Sequence, residues 1–206
     1  MHYENRLFWM WCSKEYPRHF NDPSRIIEFG SVNINGSIRL VFKCSDYTGV
    51  DWMEGPDVDL VSLAHEVPFE SMTFDTVVSA SMLEHDPYWE KSLAKMIELL
   101  KVDGLFAITW GTALNTPHEL KVSPDGKFHA LKAGLVLQLL ESYGLYIHVF
   151  KYERTICLEY GEREFMQSRI KDKLYGMGCA VLLGFKDKGQ AKGKQIIESF
   201  LDKDKV

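Results

Sequence analysis

Glu28, Gly30 and Asp51 are the first residues whose types and spacing carry a chemical meaning. A short apolar run, Arg25 to Phe29, contains Glu28 and ends beside Gly30; a second, Tyr47 to Val50, ends on Asp51. Between them, Ser31-Val32-Asn33-Ile34-Asn35 reads as a polar loop, and Gly36 opens a segment with Ile38, Val41 and Phe42 at helical spacing. The pattern is strand, tight loop, helix over Gly36 to Cys44, then strand, with a carboxylate closing each strand. Open α/β sheets bind ligands outside those strand ends. A glycine in the first turn lets the backbone approach a ligand, because it lacks Cβ and tolerates positive φ. An acid about 20 residues beyond it is placed to accept hydrogen bonds from both hydroxyls of a ribose. The unit suits an adenosine-like ligand, against the plainer readings of an ordinary strand-to-helix turn and a surface carboxylate. The second glycine of the dinucleotide fingerprint is missing, and no Lys or Arg stands between Gly30 and Gly36. A ligand without phosphates therefore fits better.

The elements that must position these residues follow from periodicity and punctuation. Asn5 to Cys12, with Leu7, Phe8, Trp9, Met10 and Trp11, reads as a short leading helix that packs over the domain, or that lends Trp9 or Trp11 to a substrate mouth. Strands are expected over Arg25–Phe29, Tyr47–Val50, Val58–Val61, Thr76–Ser79 and Leu105–Thr109. Leu93, Met96, Ile97 and Leu100 fall at i, i+3, i+4 and i+7, which predicts a helix from Tyr88 to Lys101 stopped at Gly104. Strands joined by helices or short crossovers imply a parallel, doubly wound sheet. The loop from Gly111 to Phe128 breaks the rhythm, and a loop that long in a compact domain is usually functional. Ala130–Tyr143 returns to helix and ends at Gly144; Leu145–Tyr152 and Gly178–Phe185 read as strands. Glu153–Gly176 is charged and ambiguous, Lys186–Lys194 reads as a linker, and Ile196–Leu201 as a last short helix.

Composition narrows the classes. At 206 residues, with 46% hydrophobic and 13% aromatic residues, the chain suits one well-cored domain. A net charge of −5 without a basic block argues against a nucleic-acid partner. Cys12, Cys44, Cys157 and Cys179 lie far apart, with no C-x-x-C, and read as reduced thiols rather than a metal site or disulfide framework. No secretory leader and no run of 18 apolar residues is present, so a soluble cytoplasmic protein is expected.

Taken together, Glu28-Phe29-Gly30-Ser31, Asn35-Gly36-Ser37, Gly49-Val50-Asp51, the stretch Asp59 to Phe69 with its Ala64-His65-Glu66-Val67-Pro68-Phe69, Phe74 to Ser79 and Met82-Leu83-Glu84-His85 resemble class I S-adenosylmethionine-dependent methyltransferases, of the broad methyltransferase-11-like group. The likeness covers about residues 25 to 110. It implies a Rossmann-like α/β fold with a seven-stranded, mostly parallel sheet whose last strand, Cys179 to Phe185, is antiparallel. One domain over 1–206 would comprise a cap (1–23), a cofactor-binding half (25–110), a substrate-side half (111–185) and a linker with a short helix (186–206). The implied cofactor is S-adenosyl-L-methionine. By resemblance, Glu28, Gly30 and Ser31 lie against its methionine portion, Asp51 takes the ribose, Trp52 and Met53 flank adenine, Leu63 and Ala64 line its edge, and Ser79, Ala80 and Ser81 lie near the methyl donor. Two features depart from the family pattern: the missing middle glycine, and Leu63 in place of an acid in the adenine segment.

Methyl transfer asks for in-line positioning and exclusion of water, with a general base only where the acceptor holds its proton. His85 is the candidate for such a catalytic duty, with a structural role as the competing reading; His118 and His129 are further candidates against plain loop surface, and Glu84 is a candidate for contact near the sulfonium or acceptor. No metal is expected. The acceptor expected is a small molecule, sugar or peptide, built around Met1–Pro23, Gly111–Phe128 and Glu153–Gly176. The alternatives are a binding or scaffold protein that has lost turnover and a nicotinamide-dependent oxidoreductase.

Overall fold

The computed structural model describes residues 3–34, 36–113, 123–152 and 179–200. Helix α1 (Tyr3–Glu15) leads into strands β1 (Arg25–Phe29), β2 (Asp46–Asp51), β3 (Leu60–Val61) and β4 (Phe74–Ala80). Then come α2 (Trp89–Leu99), β5 (Leu100–Gly111), α3 (Ala133–Ser142), β6 (Tyr146–Tyr152), β7 (Cys179–Phe185) and β8 (Ile196–Ile197). The strands form one sheet in the order β3-β2-β1-β4-β5-β7-β6-β8. From β3 to β5 every pairing is parallel, whereas β7 runs antiparallel between β5 and β6.

β1 and β4 and the second half of β5 are buried at successive residues, as strands covered on both sheet faces are. Alternate residues serve two layers. Ile27, Phe29, Val77, Phe106, Ile108 and Trp110 join the cores of α2 and α3. Ile26, Val78, Leu105 and Ala107 meet Phe8, Trp9 and Cys12 of α1 on the other face. Trp9 is fully buried, so it belongs to this core rather than to a substrate mouth. Among the described residues, no helix is long and apolar enough to cross a membrane.

Three expectations are corrected. The helix expected over Gly36–Cys44 is a single 3-10 turn, Ile38–Val41. Competing partners explain it: Lys43 donates its amide to Phe20 O, and the Asp22 carboxylate takes both the amide and hydroxyl of Ser45, drawing the chain out straight. The helix expected over Ile196–Leu201 is instead the edge strand β8, with Ile196 and Ile197 beside Val149 and Phe150 of β6. That strand makes the sheet eight-stranded among the described residues; Leu201 lies outside them. Gly104 does not stop a helix. The chain becomes strand at Leu100, and a Cβ at Gly104 would lie 2.6 Å from Leu100 Cδ1 and 3.0 Å from Asp75 O, so glycine is needed there for packing. Gly144, at φ +82°, does end α3 as expected. The expected loop Gly111–Phe128 is described only at its two ends, and Glu153–Gly176 and His118 lie outside the described residues.

Phe150 knits the late strands together. It is fully buried, with ring contacts to Trp110, Tyr152 and Phe200 at 6.2, 5.3 and 5.7 Å. Phe150→Ala is expected to lower stability by about 3–5 kcal/mol, measured by urea unfolding.

Candidate functional site

β1 and β4 are neighbours whose following connections leave in opposite directions, toward β2 and toward β5. That reversal is the switch point where open α/β sheets hold ligands. Gly30 sits there with φ +79°. A Cβ on it would come 2.4 Å from Met82 Cβ, so the turns after β1 and β4 touch through this glycine. The amides of Gly30 and Ser31 both donate to Val50 O, which folds the turn back onto β2.

Asp51 closes β2 and is buried. Its Oδ2 accepts the amide of Val32 at 3.1 Å and its Oδ1 that of Met53 at 3.3 Å, so one carboxylate joins the turns after β1 and β2. Burial raises its pKa, and the amides of Val32, Met53 and Trp52 oppose the rise. With three amides on a carboxylate of about four lone-pair sites, room remains for a further donor. The rest of the first turn is held by side chains. Asn33 donates to Asp57 Oδ2 and accepts the Gly36 amide, and Arg39 donates to Asp59 Oδ2 and stands over the Tyr47 ring.

Leu63 and Ala64 are drawn to the same rim because the Ser62 amide donates to Asp51 O at 2.8 Å. Trp52 is partly exposed beside them. Ser79, Ala80 and Ser81 end β4 across the switch point, and Ser81 holds a left-handed φ of +56°. The structure thus brings Gly30, Ser31, Asp51, Trp52, Met53, Leu63, Ala64 and Ser79–Ser81 to one edge of the sheet. Glu28 stands apart. It lies on the α1 face, where Tyr47 Oη donates to its Oε2 at 2.6 Å, and burial pushes its carboxyl up to about 8.

His85 and Glu84 lie in a 3-10 turn after β4, both buried. The His85 ring stands 5.7 Å from Phe128, and Ser123 Oγ donates to His85 O. The His129 amide donates to Glu84 O at 2.6 Å, and its ring pairs with Asp125 at 3.1 Å, so the segment 123–131 wraps this turn. Burial raises the Glu84 carboxyl to about 7, against the pull of nearby backbone amides. No group of His, Cys, Asp and Glu suited to a metal occurs among the described residues.

Sequence reasoning missed Met82, Tyr47 and Asn5. Asn5 is fully buried in α1, donates to Ser81 Oγ at 3.3 Å and accepts from Trp9 Nε1 at 2.9 Å. The available signal was the spacing of Asn5 one helical turn before Trp9, on the face that also carries Phe8 and Cys12.

Gly30→Ala is expected to cost on the order of 2–4 kcal/mol in urea unfolding, because it adds left-handed strain to a backbone collision. Gly30→Ala/Met82→Gly should recover the collision part. A pH dependence also follows. Glu28 and Glu84 bind protons more tightly when folded, which lowers stability as pH rises from about 4.5 to about 8. His19, whose burial depresses it to about 4, acts oppositely between about 4 and 6.5. From pH 6.5 to 8 the carboxyls act unopposed, so stability should fall there, and Glu28→Gln should flatten the fall.

A protein-family model described as a methyltransferase domain matches residues 36–108. No curated protein matches the chain by sequence. Among solved structures, the [4+2]-cyclase SpnF superposes with TM-score 0.60 at 15% identity, covering 88% of this chain and 80% of that one. The 1,6-didemethyltoxoflavin-N1-methyltransferase of Burkholderia thailandensis, solved with 1,6-didemethyltoxoflavin and S-adenosylhomocysteine, gives 0.59 at 14%, covering 88% and 77%. An S-adenosylmethionine-dependent methyltransferase from Mesorhizobium loti gives 0.59 at 13%, covering 85% and 99%. The strand order with its antiparallel β7 and the family match over residues 36–108 together place the chain among proteins of the class I S-adenosylmethionine-dependent methyltransferase fold.

Proposed function

We propose that this protein transfers a methyl group from S-adenosyl-L-methionine to a small molecule, sugar or peptide. The observation that carries the reading is Asp51. It closes β2 at the switch-point rim, buried, and joins the turn after Gly30 to the turn after β2 while keeping lone-pair capacity for a ligand hydroxyl. A ribose diol suits that carboxylate, and the buried, unpartnered hydroxyls of Ser31 and Ser79 suit a polar ligand.

In this reading Asp51 takes the ribose, Trp52, Met53, Leu63 and Ala64 enclose adenine, and Gly30, Ser31 and Ser79–Ser81 border the methionine portion. Glu28 supports the turn from beneath through Tyr47, and His85 shapes the acceptor side through Phe128. The bound donor supplies a methyl group on a positively charged sulfur. The protein's part is to align an acceptor with that carbon and exclude water.

A second reading, a methyltransferase-like scaffold without turnover, is favoured by the single turn that stands where the first helix was expected and by the Met82 contact over Gly30. One neighbour's description as a cyclase supports keeping the reaction open, since fold likeness alone does not set it. Calorimetry with S-adenosylhomocysteine tests the site, and tritium transfer from labelled S-adenosylmethionine across acceptor pools separates the two readings. Binding by the wild type, reduced ten- to a hundredfold in Asp51→Ala as the loss of a charge-assisted contact implies, supports the proposal. Unchanged affinity in a folded Asp51→Ala variant, or no binding by the wild type, overturns it.

A further inference from the structure

Among the described residues, five buried polar atoms without hydrogen-bond partners stand together at one end of the molecule, with Arg25 Nε and His148 Nδ1 lying elsewhere. Ser31 Oγ, Ser79 Oγ, Glu84 Oε2, Thr109 Oγ1 and Trp110 Nε1 all stand at or just beyond the carboxyl ends of β1, β4 and β5. An unpaired buried polar atom costs about 1–3 kcal/mol, more when charged, so a group of them at a ligand-binding rim marks places a ligand would fill. Most of the set are hydroxyls or an indole, which bind without changing protonation. Of these five, only Glu84 can also take up a proton; His65 Nδ1, also unpartnered, stands in the turn after β3.

Its placement is built. The 3-10 turn Leu83–His85 sets Glu84 two residues beyond Met82, the residue packed on Gly30 at the switch point. The His129 amide pins the Glu84 carbonyl, and Ser123 pins that of His85. Asp86, next in line, is committed to the start of α2 through the Tyr88 amide and Ser92 Oγ. The Glu84 side chain is 3% exposed, and its Oε2 has no hydrogen-bond partner.

We infer that Glu84 is the catalytic residue that accepts the acceptor's proton. This rests on the methyl-transfer reading above. The acceptor's N–H or O–H bond breaks toward Oε2 while its lone pair forms the new bond to the methyl carbon. The electron pair of the old carbon–sulfur bond returns to sulfur, discharging the sulfonium. Glu84 ends as a carboxylic acid and later releases its proton to solvent. A carboxyl raised by burial to about 7 is matched to this task near neutral pH. The titratable groups around it are His85 and Asp86 on its own turn and Asp125 and His129 on the segment that wraps it.

The test compares wild type, Glu84→Gln and Glu84→Asp in three measurements. S-adenosylhomocysteine affinity by calorimetry should stay within about twofold of wild type in both variants. Carbon-13 NMR of labelled glutamate should show a carboxyl titrating near pH 7 that is absent from Glu84→Gln. Tritium transfer from labelled S-adenosylmethionine to amine, phenol and thiol probes should fall about a hundredfold in Glu84→Gln, with its rise through neutral pH removed, and should persist in part in Glu84→Asp. Equal transfer by folded Glu84→Gln, the lack of such a titrating carboxyl, or a loss of S-adenosylhomocysteine affinity as large as that of Asp51→Ala would each overturn the inference. If the wild type does not bind S-adenosylhomocysteine, the methyl-transfer reading fails and this inference fails with it; the other outcomes remove this inference alone.

Discussion

The structure of the sheet's ligand-facing edge depends on one carboxylate. A loop that follows a strand must find partners for its backbone groups, and a helix beginning at once is the usual supplier of order there. Here that helix is one turn, Ile38–Val41. The stretch before it is tied down from the side instead, by Asp51 on the Val32 amide, Pro56 O on the Asn33 amide and the Asn33 side chain on Gly36. Asp51 is the member of this set that also holds the turn after β2. Order in the two turns and the charge at the rim are therefore one property. A ligand that adds donors to Asp51 acts on the same oxygens that hold the turns in place.

Buried polarity is treated differently beneath the site and at the strand tips. Beneath the site, on the α1 side, Tyr47 donates to Glu28, Trp9 to Asn5 and Asn5 to Ser81. Ser81 needs that support, because its left-handed backbone carries strain for a residue with a Cβ, and its amide is fixed on Thr109 O. The leading helix thus reaches the ligand edge through a chain of hydrogen bonds from its buried indole. At the strand tips the same kinds of atoms stand unpaired. Such a contrast within a few residues separates a polar core, satisfied internally, from a surface completed from outside.

Legibility in the sequence follows the range of the forces involved. β1 was readable to the residue at Arg25–Phe29, because Ile26, Ile27 and Phe29 cluster directly before the turn glycine Gly30. Helix α2 was readable because its apolar positions recur along one face, and Gly144 because only a left-handed cap needs it there. Gly36–Cys44 misled because its apolar spacing fits a helix, whereas Phe20 and Asp22, far behind it in the chain, offered its backbone stronger partners. Ile196 and Ile197 misled because a two-residue edge strand exists only through the neighbour it pairs with. Glu28 shows the same limit at the site. Its type and place suit a ligand contact, yet the partner that takes its oxygen, Tyr47, stands 19 residues on and enters from the neighbouring strand.

The two halves of the candidate site differ in this respect, and the difference has a physical origin. One half, which the proposal gives to the methyl donor, is made by successive strand ends of one repeating topology, so the intervals Gly30–Asp51–Leu63–Ser79 follow from the length of a strand and its connection. The turn after β4 is met instead by Asn5, through Ser81, and by Ser123 and His129, which no regular repeat links; α1 folds back on the sheet and the segment 123–131 hydrogen-bonds across that turn. Thr112 and Leu131 join in a parallel bridge that closes this arrangement beside β5. A cofactor is common to many acceptors and can be met by a fixed spacing. An acceptor is particular, and the residues that meet it are free to come from wherever the chain returns to the rim.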